Sequence, residues 1–226
     1  MTAPRPFLGL LQRRPCLLPT RRGWLAAALV LAIAGTVFIR GIYGFLASQH
    51  PLPGGILLVE GWSSDYVIEA AVDEFHRNHY DAICLAGGPI EWGHALREQK
   101  TFADYAKATL LKMGLPAEVL HSVPAPAVER DRSYTSALSL RKWLKDRGAV
   151  GAKVNIIGNG PHSRRTWLLY EKALKGVAEV GIIGIAEADF EPHRWWASSE
   201  GFRTVTGELI GYVYARLLFF PPPPQP

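Results

Sequence analysis

The amino-acid sequence predicts an α/β protein: a three-layer domain with a mainly parallel sheet, preceded by one N-terminal transmembrane helix. Two observations support this prediction. Residues 23–47 are apolar except for Arg40, and roughly 20 apolar residues suffice to cross a bilayer. After residue 55, short apolar runs alternate with longer segments of helical periodicity. That alternation is typical of βαβ units, whose parallel sheet is covered by helices on both faces.

The positive charge of the chain belongs to its N-terminal part. The formal net charge is +5, from 25 Lys and Arg residues against 20 Asp and Glu residues. Six arginines and no lysine precede Glu60, the first acidic residue, so 25 − 6 = 19 basic residues face 20 acidic ones from Glu60 onward. The predicted domain is therefore about neutral and shows no basic stripe, which argues against a nucleic-acid-binding function.

The same arginines predict the orientation of the chain in a membrane. Five of the six precede the apolar segment, so the positive-inside rule places the N-terminus in the cytoplasm and the domain in the periplasm or outside the cell. The sequence TRRGWL at residues 20–25 resembles a twin-arginine export signal, which gives the same sidedness. No small-x-small cleavage site follows, so we expect an uncleaved single-pass anchor in the bacterial inner (plasma) membrane. A buried hairpin of a soluble domain is the alternative interpretation of this segment.

Composition divides the chain into five parts. These are a basic cytoplasmic N-terminus (1–22), a transmembrane anchor (23–47), a linker (48–55), an α/β domain (56–220) and a Pro-rich tail (221–226). Cys84 lies in an apolar run of the domain, so we expect it to be buried. No CxxC or HExxH pattern occurs, so the sequence predicts no metal site and identifies no cofactor.

The strands and helices of the domain follow from its apolar patterning. Strands are predicted at residues 56–59, 82–85, 119–123, 154–157 and 180–185, and helices at 65–78, 98–113, 134–147 and 164–174. This order predicts a Rossmann-like domain. A last helix is predicted at residues 207–220, before a run of prolines ends it. We expect its apolar surface to pack on the core, and contact with the membrane is the alternative.

A histidine and two arginines, Arg164 and Arg165, at the start of the fourth helix of the domain predict a binding site. His162 and Arg165 lie where cations oppose the helix macrodipole, so a compensating anion is expected there. Ligands of parallel sheets bind beyond the carboxyl ends of the strands, where these residues are expected to lie. We predict that the anion is partly internal, with Asp131 or Glu60 orienting Arg165, and partly a phosphate or carboxylate of a ligand.

The loops after the strands supply the other candidate residues. The predicted catalytic residues, which would move protons, are His162, Asp131 and Glu60. The predicted ligand-binding residues are Gly87, Gly88, Arg132, Ser133, Thr135, Asn159 and Arg165. Structural roles remain open for some of them, because the glycines could serve only a tight turn and His162 could be a core or helix-capping histidine. The sequence has no GxSxG or Walker motif, which argues against a standard hydrolase or P-loop protein.

Over about residues 55–218 the chain resembles the SanA/YdcF/ElyC family, a domain of largely unknown biochemical function found in bacterial envelopes. Three elements match: the GG at Gly87 and Gly88, the Thr-containing loop with Ser133 and Thr135, and the HxxR element at His162 and Arg165. The resemblance implies a role in cell-envelope or polysaccharide biogenesis, with an anionic small molecule or lipid-linked glycan as partner. An enzyme, a binding module and an assembly protein all remain open. A nucleotide or S-adenosylmethionine site is expected only if the topology is reversed.

Overall fold

The computed structural model describes residues 18–93 and 98–222. Cys16, most of the predicted cytoplasmic N-terminus and the end of the Pro-rich tail lie outside these residues. The chain forms two compact units, which divide between Ile39 and Arg40.

Helix α1 (Arg21–Leu46) is the predicted apolar segment. It is long and apolar enough to cross a membrane, with a mean hydropathy of 2.2 over its most apolar 18 residues. It begins two residues earlier than predicted and ends one residue earlier. Residues 40–46 of this helix belong to the second unit, where Ile42 and Leu46 are buried.

The second unit is built on a six-stranded sheet with the order β1-β6-β5-β2-β3-β4. Its strands are β1 (Gln49–His50), β2 (Ile56–Glu60), β3 (Ala82–Gly87), β4 (Leu120–Pro124), β5 (Ala152–Asn159) and β6 (Ala178–Ile185). All neighbouring pairs are parallel except β1 with β6. The five predicted strands are present. Strand β1 lies within the predicted linker and is an element that the sequence analysis did not predict.

Helices cover both faces of this sheet, so the predicted three-layer α/β fold is confirmed. Helices α2 (Asp65–Arg77) and α3 (Phe102–Lys112) pack on one face, and α4 (Arg132–Asp146) and α5 (Ser163–Leu174) pack on the other. Residues along the central strands alternate between the two cores, so Leu58 and Cys84 face α4 and α5, whereas Leu57 and Leu85 face α2 and α3.

Two helices begin elsewhere than predicted. Helix α3 begins at Phe102 rather than at residue 98, because the side chain of Thr101 caps it by accepting a hydrogen bond from Asp104 N. Helix α6 (Ser199–Leu217) begins eight residues before the predicted start at residue 207, and Ser198 caps it by accepting from Gly201 N at 3.0 Å. The helix therefore passes through Gly201 and Gly207, whose low helix propensity hid its first half in the sequence.

The strand order places a topological switch between β2 and β5. From β2 the chain adds β3 and β4 on one side, then crosses to add β5 and β6 on the other. The segments that leave β2 and β5 therefore diverge, and the crevice at their carboxyl ends is where open α/β sheets bind ligands. Glu60 ends β2, and a short 3-10 helix (Gly160–His162) follows β5.

Candidate functional site

Glu60 and His162 meet at this switch point. Glu60 is the last residue of β2 and is 3% exposed. Its Oε2 lies 3.6 Å from Nε2 of His162, whose side chain is 11% exposed. The fold thus brings together two residues, 102 positions apart in the sequence, that were predicted to share a site.

The partner of Arg165 is Glu208 of α6. Oε2 of Glu208 accepts from Arg165 Nε at 2.8 Å and Oε1 accepts from Nη2 at 3.0 Å. Nδ1 of His162 lies 3.0 Å from the same Oε1. Glu208 therefore takes the orienting role that the sequence analysis gave to Asp131 or Glu60. Asp131 is exposed, and Glu60 acts on Arg165 only through its charge.

The electrostatics of this cluster favour ion pairs of Glu208 with both His162 and Arg165. Burial lowers the pKa of His162, but the hydrogen bond to Glu208 and the nearby Glu60 carboxylate outweigh burial and raise that pKa above its usual value. Burial would raise the pKa of Glu208, yet hydrogen bonds from His162 and Arg165 hold it at about 2. The raised pKa favours the protonated ring, in which Nδ1 donates to Glu208 while Nε2 faces Glu60. Nη2 of Arg165 lies 2.9 Å from Nδ1 of His162. It also donates to Oε1 of Glu208.

Two aromatic residues enclose the cluster. Trp62, two residues after β2, makes an edge contact with the His162 ring at a centroid distance of 4.9 Å. Tyr170 of α5 is fully buried. Burial and the adjacent Glu60 carboxylate raise the pKa of Tyr170 well above its usual value, so its hydroxyl stays protonated. His162 and Glu60 consequently sit in a low-dielectric environment that strengthens their ion pair.

A cavity of about 710 Å3 opens beside this cluster. Its walls come from the segments after β2, β3 and β4, from the starts of α4 and α5, and from the end of α6. The predicted site residues that line it are Gly87, Gly88, Asp131, Arg132, Ser133 and Arg165. Among the described residues, the lining also includes Trp62, Phe102, Ser136, Leu169, Tyr214 and Phe219. The cavity thus combines a polar rim with an apolar interior wall.

The start of α4 faces this cavity without a side-chain cap. Asp131 precedes the helix in the left-handed conformation (φ 57°), and its carboxylate makes no capping hydrogen bond. The first turn contains no acidic residue. The first N–H groups of the helix therefore remain available to a ligand, and a left-handed non-glycine residue is the kind of local strain that accompanies functional sites.

No protein-family model, curated protein or solved structure matches this chain.

The two predicted cavity glycines serve different purposes. A Cβ on Gly87 would lie 2.6 Å from Phe102 Cβ, so glycine is needed there to let α3 approach β3. A Cβ on Gly88 would meet only the carbonyl oxygens of Pro126 and Ala125, at 3.6 and 3.8 Å. Both glycine carbonyls are already occupied, since Gly87 O accepts from Ala125 N and Gly88 O from Phe102 N.

Thr135 and Asn159 lie away from the cavity lining. Thr135 is in the first turn of α4, and its N–H donates to Asp131 O at 2.9 Å. The Tyr66 hydroxyl donates to Glu187 and lies 2.8 Å from Oδ1 of Asn159. Asn159 therefore belongs to a second polar cluster beside β6. Among the described residues, no group of three or more His, Cys, Asp or Glu side chains is arranged to hold a metal ion.

Glu208 is the site residue that the sequence analysis missed. It is the sole charged residue between Arg203 and Arg216 in an otherwise apolar stretch of α6. A lone carboxylate on a helix that is expected to pack on the core needs a cationic partner. This requirement is the feature of the sequence that could have identified Glu208 as a site residue. The identity of that partner could not be read from the sequence.

Proposed function

We propose that this chain is a membrane-anchored protein of the bacterial envelope, similar to the SanA/YdcF/ElyC family, whose domain binds an anionic ligand in the cavity. The position of Arg165 is the observation that carries the proposal. Its guanidinium lines the cavity while Glu208 fixes Nε and Nη2. Within the described part of the chain Nη1 makes no hydrogen bond, so its two N–H groups can bind a phosphate or carboxylate oxygen.

The open start of α4 supports the same proposal from another wall of the cavity. Helix N-termini bind anions through their free N–H groups and the helix dipole, and Ser133 adds a hydroxyl there. The charged side chains of the lining balance, because Glu91, Glu129 and Asp131 oppose Arg130, Arg132 and Arg165. Selection of an anion therefore comes from placed donors rather than from net charge.

The apolar wall favours a ligand with an apolar portion, such as a lipid-linked glycan. Phe102, Leu169 and Phe219 contribute carbon surface to a cavity of about 710 Å3, a volume typical of small-molecule sites. Binding rather than chemistry is the role that we propose. Both ring nitrogens of His162 are directed at carboxylates, so we assign His162 and Glu208 to positioning Arg165.

Inorganic phosphate tests this function through thermal unfolding of the full chain in detergent. We expect phosphate at about ten times its Kd to stabilise the wild type by about 1.4 kcal/mol, a rise of a few degrees in Tm. Arg165→Lys should lose this shift because lysine cannot reproduce the guanidinium fork. Arg132→Gln, at a side chain that is 69% exposed, should weaken the shift without affecting the fold.

Arg77→Lys is the matched control, since Arg77 is an exposed arginine on α2. It should keep the full phosphate shift, which separates specific binding from the general stabilisation by phosphate. A shift of equal size in wild type and Arg165→Lys, or no shift in wild type, would refute anion binding at this cavity.

The sidedness of the anchor is part of the same proposal and is supported by the five arginines that precede residue 23. Alkaline phosphatase and a fluorescent protein that folds only in the cytoplasm are fused in parallel after Pro226. We expect active phosphatase and no fluorescence. The opposite result would reverse the topology and make a cytosolic nucleotide or S-adenosylmethionine the ligand to test.

A further inference from the structure

Helix α6 carries an apolar stripe that faces away from the protein. We call Phe202, Ile210, Val213 and Leu217 the outer stripe; their exposed fractions are 54, 70, 44 and 62%. Their spacings of eight, three and four residues place all four on one side of the helix. Phe220, three residues beyond Leu217, is 78% exposed. The outer stripe therefore follows nearly the full length of α6.

The other sides of α6 are occupied by protein. Ala215 is buried in the core with α4 and α5, and Gly211 lies against Arg165. Val205, Leu209 and Tyr212 form a second side, which packs on residues 42–46. A surface helix ordinarily turns polar residues outward, so a helix that is apolar on its inner and outer sides has a further apolar partner.

We propose that the outer stripe of α6 lies on the surface of the lipid bilayer in which α1 anchors the chain. The chain enters this unit through residues 40–46, directly after the apolar part of α1. At the end of that segment, Phe45 packs on Tyr212 with ring centroids 5.5 Å apart. Phe45 is six residues beyond Ile39, a rise of about 9 Å in a helix. The second half of α6 therefore contacts the chain a few residues after the segment that would cross the bilayer.

The residues that flank the outer stripe suit phospholipid headgroups. Arg203 follows Phe202, and Arg216 precedes Leu217; both arginines are exposed. Their long stems can lie along the apolar surface while the guanidinium groups reach lipid phosphates. Arg203 pairs with Glu200 only in an exposed contact. Trp196, 39% exposed just before α6, is the type of aromatic residue that favours the membrane interface.

This inference rests on the anchoring part of the proposed function and is independent of the cavity ligand. The full chain, with Cys16 replaced by serine, is reconstituted into vesicles of phosphatidylcholine and phosphatidylglycerol. Single cysteines are placed by Val213→Cys in the outer stripe, Leu29→Cys in α1 and Asp73→Cys in α2. Each is labelled with an environment-sensitive fluorophore. The native Cys84 is buried and stays unlabelled in the folded protein. Lipids with a quencher near the headgroup or deep in the acyl chain then report depth.

We expect the headgroup-level quencher to quench the label at position 213 and the deep quencher to quench the label at position 29. The label at position 73 should respond to neither, because Asp73 is exposed on the opposite face of the sheet from α6. Quenching at 29 but not at 213 would overturn the docking of α6 and leave the anchor intact. Quenching at neither position would overturn both the docking of α6 and the membrane anchor. The phosphate experiment would still test ligand binding in the cavity separately.

A second copy of the chain is the competing occupant of the outer stripe. In that case the label at position 213 would self-quench, and dilution with unlabelled protein would relieve the quenching; this result would overturn the proposal. Ile210→Glu combined with Leu217→Glu offers a further measurement. Both side chains are more than 60% exposed, so the fold should survive, and headgroup-level quenching at 213 should fall to the level at position 73.

Discussion

Glu208 holds the guanidinium of Arg165 by two hydrogen bonds, of 2.8 Å to Nε and 3.0 Å to Nη2, across 43 residues of sequence. The side chains are 18 and 28% exposed, and Nδ1 of His162 lies 3.0 Å from the same carboxylate. The three residues act as one unit, because removing one leaves a partly buried charge without its partner.

Glu208→Gln is expected to lower the free energy of unfolding by about 3 kcal/mol, since it leaves Arg165 and His162 without their shared carboxylate. Thermal or denaturant unfolding of the full chain in detergent measures this. Glu200→Gln is the matched control on the same helix, because Glu200 pairs with Arg203 on the surface. Its cost should stay within about 1 kcal/mol. Equal costs for the two variants would contradict the arrangement.

Acid should weaken the fold through Glu208. Its folded pKa of about 2 lies below its usual value of 4.5, so its contribution is fully present above pH 4.5 and is lost as the pH falls towards 2. That difference corresponds to about 3 kcal/mol. The Tm of the wild type should therefore fall more steeply below pH 4.5 than the Tm of Glu208→Gln. Parallel curves for the two proteins would refute the depressed pKa.

Alkali should weaken the fold through His162. Its folded pKa is raised above 6.5, so its stabilising contribution is complete below pH 6.5 and is lost as the pH rises through the folded value. We expect the Tm of the wild type to decline above that pH and the Tm of His162→Gln to remain flat across the same range. A titration of the His162 ring by NMR gives the pKa directly, and a value below 6.5 would contradict the raised pKa.

The neighbouring glycines of the cavity give a matched pair of variants. Gly87→Ala should destabilise the fold by about 2 kcal/mol or more, because the new Cβ would lie 2.6 Å from Phe102 Cβ. Gly88→Ala should change stability by less than about 1 kcal/mol, since its Cβ would make ordinary contacts of 3.6 and 3.8 Å. Unfolding of both variants under one condition measures the difference. The reverse order would show that the turn has another conformation.

Cys84 should resist thiol reagents in the native protein. It is fully buried in β3, and burial raises its pKa to about 12, so the reactive thiolate is scarce. In a Cys16→Ser chain we expect labelling at neutral pH to be slow and to accelerate strongly on unfolding. Labelling at the rate of a free thiol before denaturant is added would place β3 outside the core.

Much of the candidate site could be predicted because parallel strands end at one edge of a sheet. Glu60 and His162 follow two strands that the sequence marks as buried, and the fold brings them to 3.6 Å. The Arg165–Glu208 pair could not be predicted in this way. Glu208 lies on a helix outside the βα repeats, and its contact depends on how α6 crosses α5, which no local pattern encodes.

The sequence by itself determined the order of strands and helices, the burial of Cys84 and the apolar helix α1, because each follows from a local run or period of apolar residues. Tertiary structure decided β1, which has only two residues and no periodicity. It pairs with β6 where Gly184 leaves room, since a Cβ there would lie 2.7 Å from Ser48 O. Tertiary structure also decided which carboxylate neutralises Arg165 and which side of α6 stays exposed. Those outcomes depend on packing between elements far apart in the chain, whose energies appear only once the sheet has formed.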